Sequence, residues 1–216
     1  MSSDKLIPTD VVWHEGHVQP EDRSRLLGQQ PVTTWLTGLS ASGKSTLAFA
    51  LERRLVDNGR ACYVLDGDNV RHGLNKDLGF SHQERTDNIR RIAEVARLMN
   101  EAGLIVITSF ISPYRDDRRL ARDIVGAERF VEVYVSTPIE TCAARDPKGM
   151  YKRARAGELS GFTGVNDPYE PPGAPDLKLD TSITPLSECA GALLAAVMER
   201  IGVPAGERQH RLGGPQ

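Results

Sequence analysis

The chain has 216 residues, enough for one large domain, and its 39% hydrophobic and 26% charged composition excludes a disordered or fibrous architecture. A net charge of -2 at pH 7 argues against a general nucleic-acid or membrane-surface binder, so any anion site must be local. Cys62, Cys142 and Cys189 are widely spaced, in neither a CxxC nor a CxxxH pattern, which disfavours a disulfide scaffold or zinc site. Cys62 and Cys142 lie in or near apolar runs and read as small buried thiols. Met1 to Lys5 lack an apolar leader, and no stretch approaches the roughly 20 apolar residues that span a bilayer, so a cytoplasmic protein is expected.

Residues 1–31 are polar, carry Trp13, His14, His17 and a helical-looking stretch from Pro20 to Leu27, and read as an arm before the domain. Val32 to Thr37 is a β-prone run ended by Gly38, and Ser45 to Val56 places Leu47, Ala48, Leu51 and Leu55 at helical spacing. The pattern repeats. Ala61 to Leu65 reads as a strand, Asn88 to Ala102 as an amphipathic helix ended by Gly103, and Leu104 to Ser109 as another apolar strand. Pro113 is expected to start the next helix, followed by a strand from Phe130 to Val135. Helical pieces are expected at Pro138 to Arg145, Tyr151 to Gly157 and Leu186 to Ile201, with a short strand at Leu177 to Leu179. Continuous apolar strands alternating with helices imply an α/β three-layer sandwich with a mostly parallel sheet covered on both faces. The expected organisation is a domain over 32–203 and a disordered tail over 204–216. Gly157 to Pro175, rich in Gly, Pro and polar residues, reads as part of a mobile lid covering about 146–175.

Gly38-Leu39-Ser40-Ala41-Ser42-Gly43-Lys44-Ser45, followed by Thr46, matches G-x-x-x-x-G-K-[ST] between an expected strand and helix, the context this motif requires. The glycines let the loop turn its amides inward around phosphate oxygens, Lys44 adds positive charge, and Ser45 offers a hydroxyl to Mg²⁺. A nucleoside triphosphate with Mg²⁺ follows. Ala41 is expected to be tolerated only if its dihedrals are not left-handed. No Asn-Lys-x-Asp guanine-reading loop is present, which disfavours a GTPase switch. The third strand ends Thr108-Ser109-Phe110 without an acidic residue, so Asp66 and Asp68, just past the second strand, must supply the metal carboxylate. Arg71 could hold an anionic acceptor. These features favour phosphate transfer to a small molecule.

The blocks Gly38 to Thr46, Asp66-Gly-Asp-Asn-Val-Arg-His-Gly-Leu-Asn75, Ser109-Phe-Ile-Ser-Pro-Tyr-Arg115, Asp146-Pro-Lys-Gly149 and Tyr151 to Gly164 closely resemble the adenylyl-sulfate kinase family. They run in order, and with an arm-like Val11-Val-Trp-His14 the resemblance covers roughly Val11 to Ile201. It implies transfer of the γ-phosphate of ATP, with Mg²⁺, to the 3′-hydroxyl of adenosine 5′-phosphosulfate. The product would be 3′-phosphoadenosine 5′-phosphosulfate (PAPS), used in sulfate assimilation. By the resemblance, Lys44, Asp68 and Ser112 would be catalytic, with Ser45 and Asp68 near the metal. The role of Ser112 stays open between a phosphoserine intermediate and a helix-capping serine beside direct in-line transfer. Arg71, Arg85 and Asn88 would hold the phosphosulfate or ribose, and Asn75 would support them. Phe80 and Phe162, beside Gly161, would sandwich the acceptor adenine, and Phe110 and Ile111 would line its pocket. Lys148 and Lys152 would sit in the lid, and Arg145 against the adenine of ATP. A homodimer is implied, with no fused sulfurylase, so that the protein acts alone or with a separate ATP sulfurylase. The alternatives are a P-loop kinase for another small acceptor and a non-catalytic PAPS-sensing regulatory domain.

Overall fold

Five strands alternate with helices in the computed structural model, which describes residues 11, 12 and 14–201. Trp13, the Met1 to Lys5 segment and the tail expected at 204–216 lie outside the described residues. The strands are β1 (Thr33–Thr37), β2 (Cys62–Asp66), β3 (Ile105–Ser109), β4 (Phe130–Val135) and β5 (Leu177–Leu179). They form one sheet in the order β2-β3-β1-β4-β5, and every pairing is parallel. Parallel strands need helical crossovers, which cover both faces, and this is why β1 and β3 are buried at every position.

Side chains alternate across β1, so Leu36 and Trp35 enter opposite layers. On one face Leu36 packs with Leu47, Leu51 and Leu55 of α2 (Lys44–Asp57) and with Leu193 and Val197 of α8 (Leu186–Ile201). On the other, Trp35 meets Ile89, Ile92 and Ala96 of α4 (His82–Glu101) and Ala121 of α5 (Arg115–Val125). The Trp35 ring stacks between Phe130 at 5.5 Å and Phe110 at 6.1 Å, filling that layer under the central strand. This is the expected three-layer α/β sandwich. Cys142 and Cys189 are buried free thiols and Cys62 is half-buried.

The helix α1 (Pro20–Leu27) occupies the expected span, with Pro20 in its first turn and Gly28 closing it at φ +62°. Gln29 then fastens the arm to the sheet edge: its buried amide donates to the carbonyls of Ala61 and Gly103, each at 2.8 Å, and accepts from Ala61 N–H at 2.9 Å. Short helices α3 (Gly67–Arg71), α6 (Ile139–Arg145) and α7 (Met150–Arg155) surround the sheet's C-terminal edge.

Two helix starts differ from expectation by more than one residue. Helix α4 begins at His82 rather than Asn88, because Ser81 and Glu84 cap each other's backbone N–H in a reciprocal box. Its first turns carry no apolar residue, which is why hydrophobic spacing passes over them. Helix α5 begins at Arg115 rather than Pro113: Tyr114 is extended at the N-cap, and the Pro113 carbonyl instead accepts from Glu170 N–H at 2.9 Å. No helix among the described residues is long and apolar enough to cross a membrane.

Candidate active site

The loop after β1 curls over the start of α2. Gly38 sits at φ +152°, and a Cβ there would lie 2.5 Å from the Val135 carbonyl oxygen, so only glycine fits. Gly43 is left-handed at φ +102°, and a Cβ there would crowd Thr181 at 3.2 Å. The condition expected for tolerating an alanine here is not met at Ala41, which also adopts a left-handed conformation, φ +59°. The loop imposes it, because the Ala41 carbonyl must face Arg145 Nη1, 3.4 Å away, while Ser42 O accepts from Thr137 at 3.0 Å and Thr181 at 2.8 Å. An L-residue in this region costs about 1–2 kcal/mol. Ala41→Gly should therefore raise stability by up to about 1 kcal/mol, after glycine's greater chain entropy is deducted, with activity unchanged. Thermal unfolding and turnover of the variant check this, and a lower melting temperature would contradict it.

Lys44 lies under the loop with its ammonium donating to Leu39 O at 2.6 Å. Burial, partly opposed by the nearby Asp66 and Asp68, pushes its pKa down to about 8 from 10.5. The charged form is thus worse off in the folded protein than in the unfolded chain. That penalty is present below about pH 8 and fades as pH rises toward 10.5. The melting temperature of the wild type relative to Lys44→Met should rise across this window, and a flat difference would contradict the burial account.

Ser45 donates to Asp66 Oδ2 at 2.7 Å and lies 3.2 Å from Ser109 Oγ. Asp66 and Ser109 are directly paired across β2 and β3, so the sheet's register brings this hydroxyl and carboxylate to the loop. The carboxylate beside Ser45 is therefore Asp66. Asp68 stands two residues farther, with its backbone N–H capped by Asp66 Oδ1 at 3.0 Å and its side chain two-thirds exposed. It is paired with Lys148 Nζ of the segment above. A hard-oxygen set of Ser45, Asp66 and Asp68 beside a phosphate cradle fits Mg²⁺, which keeps several waters and takes one or two carboxylates.

A cavity of about 940 Å³ runs from this loop along the C-terminal ends of β2 and β3. Its far end is built from Arg71, Phe80, Arg85, Asn88, Phe110, Ile111, Ser112, Gly161 and Phe162. The Arg71 guanidinium lies 4.2 Å from the Phe80 ring centroid and that of Arg85 5.8 Å from it. Desolvation and then Arg85 push the Arg71 pKa down, so this end carries two crowded cations that an anion would relieve. Arg71 donates to Leu78 O and Gly79 O, while Arg85 donates to Phe80 O, Thr163 Oγ1 and Gly161 O. Asn75, fully buried, donates to Asn88 Oδ1 at 3.0 Å and so orients the Asn88 amide. Phe162 is buried edge-on against Tyr151 at 4.9 Å, whereas Phe80 is 62% exposed.

Ser112 is 2% exposed and left-handed at φ +38°, a conformation that costs of order 1–3 kcal/mol. Its hydroxyl accepts from Trp35 Nε1 at 3.2 Å, and its carbonyl accepts from Arg118 Nη1 at 2.6 Å. The hydroxyl is thus engaged in the core.

The cavity gathers Ser40, Ala41, Gly43, Lys44, Ser45, Thr46, Asp68, Arg145 and Lys148 with the far-end residues. Gly38, Leu39 and Ser42 shape the loop from behind, Asn75 supports from below, and Lys152 is exposed and off the lining. Residues that sequence reasoning left out are Ser109, Phe49, Thr163 and above all Thr181, which bonds Arg145 Nη1 at 2.8 Å and Ser42 O at 2.8 Å. Thr181 follows the last strand, so the rule that α/β sheets bind ligands past their strand ends could have found it.

Residues 30–180 match the family model described as Adenylylsulphate kinase. The chain is 55% identical over 186 residues to the adenylyl-sulfate kinase of Shewanella pealeana, covering 86% of this chain and 91% of that protein. It is 52% identical over 193 residues to the adenylyl-sulfate kinase of Vibrio cholerae, covering 89% and 90%. Its fold is similar to the Mycobacterium tuberculosis APS kinase in complex with AMPPNP and APS, at a TM-score of 0.75 and 46% identity over 78% of this chain and 98% of that one. With a phosphate cradle at one end of its cavity and a cationic, aromatic pocket at the other, the chain belongs to the adenylylsulphate kinase family.

Proposed function

We propose that the protein is an adenylyl-sulfate kinase, moving the γ-phosphate of ATP to the 3′-hydroxyl of adenosine 5′-phosphosulfate and releasing ADP and PAPS. The observation that carries this reading is the single cavity that joins the Lys44 loop to the Arg71, Phe80 and Arg85 pocket, with Asp68 between them. The loop amides and Lys44 hold the ATP phosphates, Ser45 and Asp66 would hold Mg²⁺, and Arg145 flanks the ATP adenine. Mg²⁺, when bound, would supply positive charge to the phosphates. Arg71, Arg85 and Asn88 hold the acceptor's anionic and ribose groups. The 3′-oxygen attacks the γ-phosphorus in line, the bond to the bridging oxygen breaks, and Asp68 takes the hydroxyl proton. Lys148 leaves Asp68 for the phosphates as the site fills. Ser112 shapes the acceptor wall through its turn rather than carrying phosphate, because its hydroxyl is buried under the Trp35 N–H.

Phe80 stacks on the acceptor adenine opposite Phe162. Base stacking on an aromatic contributes about 1–3 kcal/mol. Phe80→Ala should raise the KM for adenylyl sulfate about 10-fold while leaving that for ATP unchanged. Initial rates with each substrate varied in turn distinguish this from a general loss of folding. The reaction itself is checked by identifying the product: a phosphate on the 3′-oxygen with sulfate retained supports it, and phosphate elsewhere or released sulfate contradicts it. A homodimer in the cytoplasm, supplied by a separate ATP sulfurylase, completes this reading.

A further inference from the structure

Arg118 is a buried cation outside the phosphate and acceptor contacts. Its side chain is 3% exposed, and its three donor nitrogens reach three different segments. Nε donates to Glu132 Oε1 of β4 at 2.9 Å, Nη1 to the Ser112 carbonyl at 2.6 Å, and Nη2 to the Glu170 carbonyl at 2.7 Å. The guanidinium also lies 5.9 Å from the Tyr169 ring centroid. Tyr169 in turn is 3.0 Å from Thr37 Oγ1, which donates to the carbonyls of Ile111 at 2.7 Å and Ser112 at 3.3 Å, so the tyrosine hydroxyl must be the donor. The backbone adds one bond, Glu170 N–H to Pro113 O. Residues 163–171 are therefore a strap sewn onto the turn Phe110 to Pro113, even though more than 50 positions separate them in the chain.

The two ends of this seam matter for the site. The turn carries Phe110, Ile111 and Ser112, one wall of the acceptor end of the cavity, and the strap begins immediately after Phe162, the opposite wall. A turn held at a strained Ser112 dihedral persists only where its surroundings over-determine it. A flat fork of N–H donors is suited to fixing three acceptors at once, which a lysine ammonium cannot reproduce.

We propose that Arg118 is a positioning residue for phosphate transfer, tying the Ser112 turn to the strap so that the two walls of the acceptor pocket keep one separation. It touches no substrate and acts through Ser112 and Glu170. The proposal deepens the kinase reading and rests on it for its kinetic consequence, while its structural content can be read without any substrate.

The experiment uses the full chain as wild type, Arg118→Lys, Tyr169→Phe and Val197→Ala, the last a destabilising change in the opposite layer, where Val197 is fully buried. Arg118→Lys should raise the KM for adenylyl sulfate about 10- to 100-fold, the scale of loss when a reactant is held slightly out of place, with the KM for ATP within about 2-fold. Tyr169→Phe should shift the same constant in the same direction by less. Val197→Ala should lower the melting temperature without separating the two constants. Amide hydrogen exchange of Arg118→Lys, measured without substrate, should quicken at 110–113 and 163–171 together and leave the loop 38–45 unchanged. An equal rise in both KM values, as a merely structural role gives, overturns the proposal. So does unchanged exchange at either segment. If the wild type does not use adenylyl sulfate, the kinase reading fails, and the exchange result alone still decides whether Arg118 joins the two segments.

Discussion

Lys44→Met is expected to lower kcat with Mg-ATP and adenylyl sulfate by on the order of 10²- to 10³-fold, the loss seen when one pre-placed donor to developing charge is removed. The reason lies in how the folded protein treats this ammonium. It is buried, held to the Leu39 carbonyl, and desolvated enough that its pKa falls to about 8. Such a cation interacts with an incoming phosphate in a site that excludes water, where the attraction exceeds its value in solution. Methionine keeps the length and apolar stem of the side chain, so the fold should survive and ADP binding should weaken far less than kcat. A variant retaining more than about a tenth of wild-type kcat would show that the loop amides suffice.

Asp68→Asn is expected to cost about 10²- to 10⁴-fold in kcat, the usual contribution of a placed general base. Asp66→Asn should behave differently, raising the Mg²⁺ concentration needed for half-maximal rate. The contrast follows from geometry. Asp66 accepts from Ser45 at 2.7 Å and from the amide of Asp68, so it is fixed beside the hydroxyl that would face the metal. The Asp68 side chain is exposed and, among the described residues, is paired with Lys148 alone, which would leave it able to turn toward an acceptor hydroxyl. Rates measured across Mg²⁺ concentrations separate the two. If both variants shift the Mg²⁺ requirement alike and neither changes the rate at saturating metal, proton removal does not belong to Asp68.

Much of this was legible in the sequence, for a physical reason in each instance. The strands of a doubly covered parallel sheet bury both faces, so β1 and β3, buried at every position, do not alternate, whereas β4 is only half-buried at Glu132 and Tyr134. The phosphate loop is a local device, complete within eight consecutive residues, and its chemistry can be read from spacing alone. The start of α4 was not visible in hydrophobic spacing because it is set by the Ser81 and Glu84 caps. The left-handed Ala41 was hidden for another reason: its conformation is imposed by Thr137, Thr181 and Arg145, which reach the loop from far along the chain. That Asp66, and not Asp68, lies beside Ser45 depends on the register that sets Asp66 opposite Ser109, which no spacing rule gives. The Arg118 seam is likewise a product of tertiary proximity.

The measurement that bears most directly on the central claim is ADP release by the purified full chain with Mg-ATP. Adenylyl sulfate is the acceptor in one arm, and gluconate, shikimate and a nucleoside replace it in the others. Turnover with adenylyl sulfate that exceeds each alternative and is lost in Asp68→Asn is the predicted result. Faster turnover with another acceptor would contradict it, as would binding of PAPS without any turnover, the behaviour of a regulatory domain.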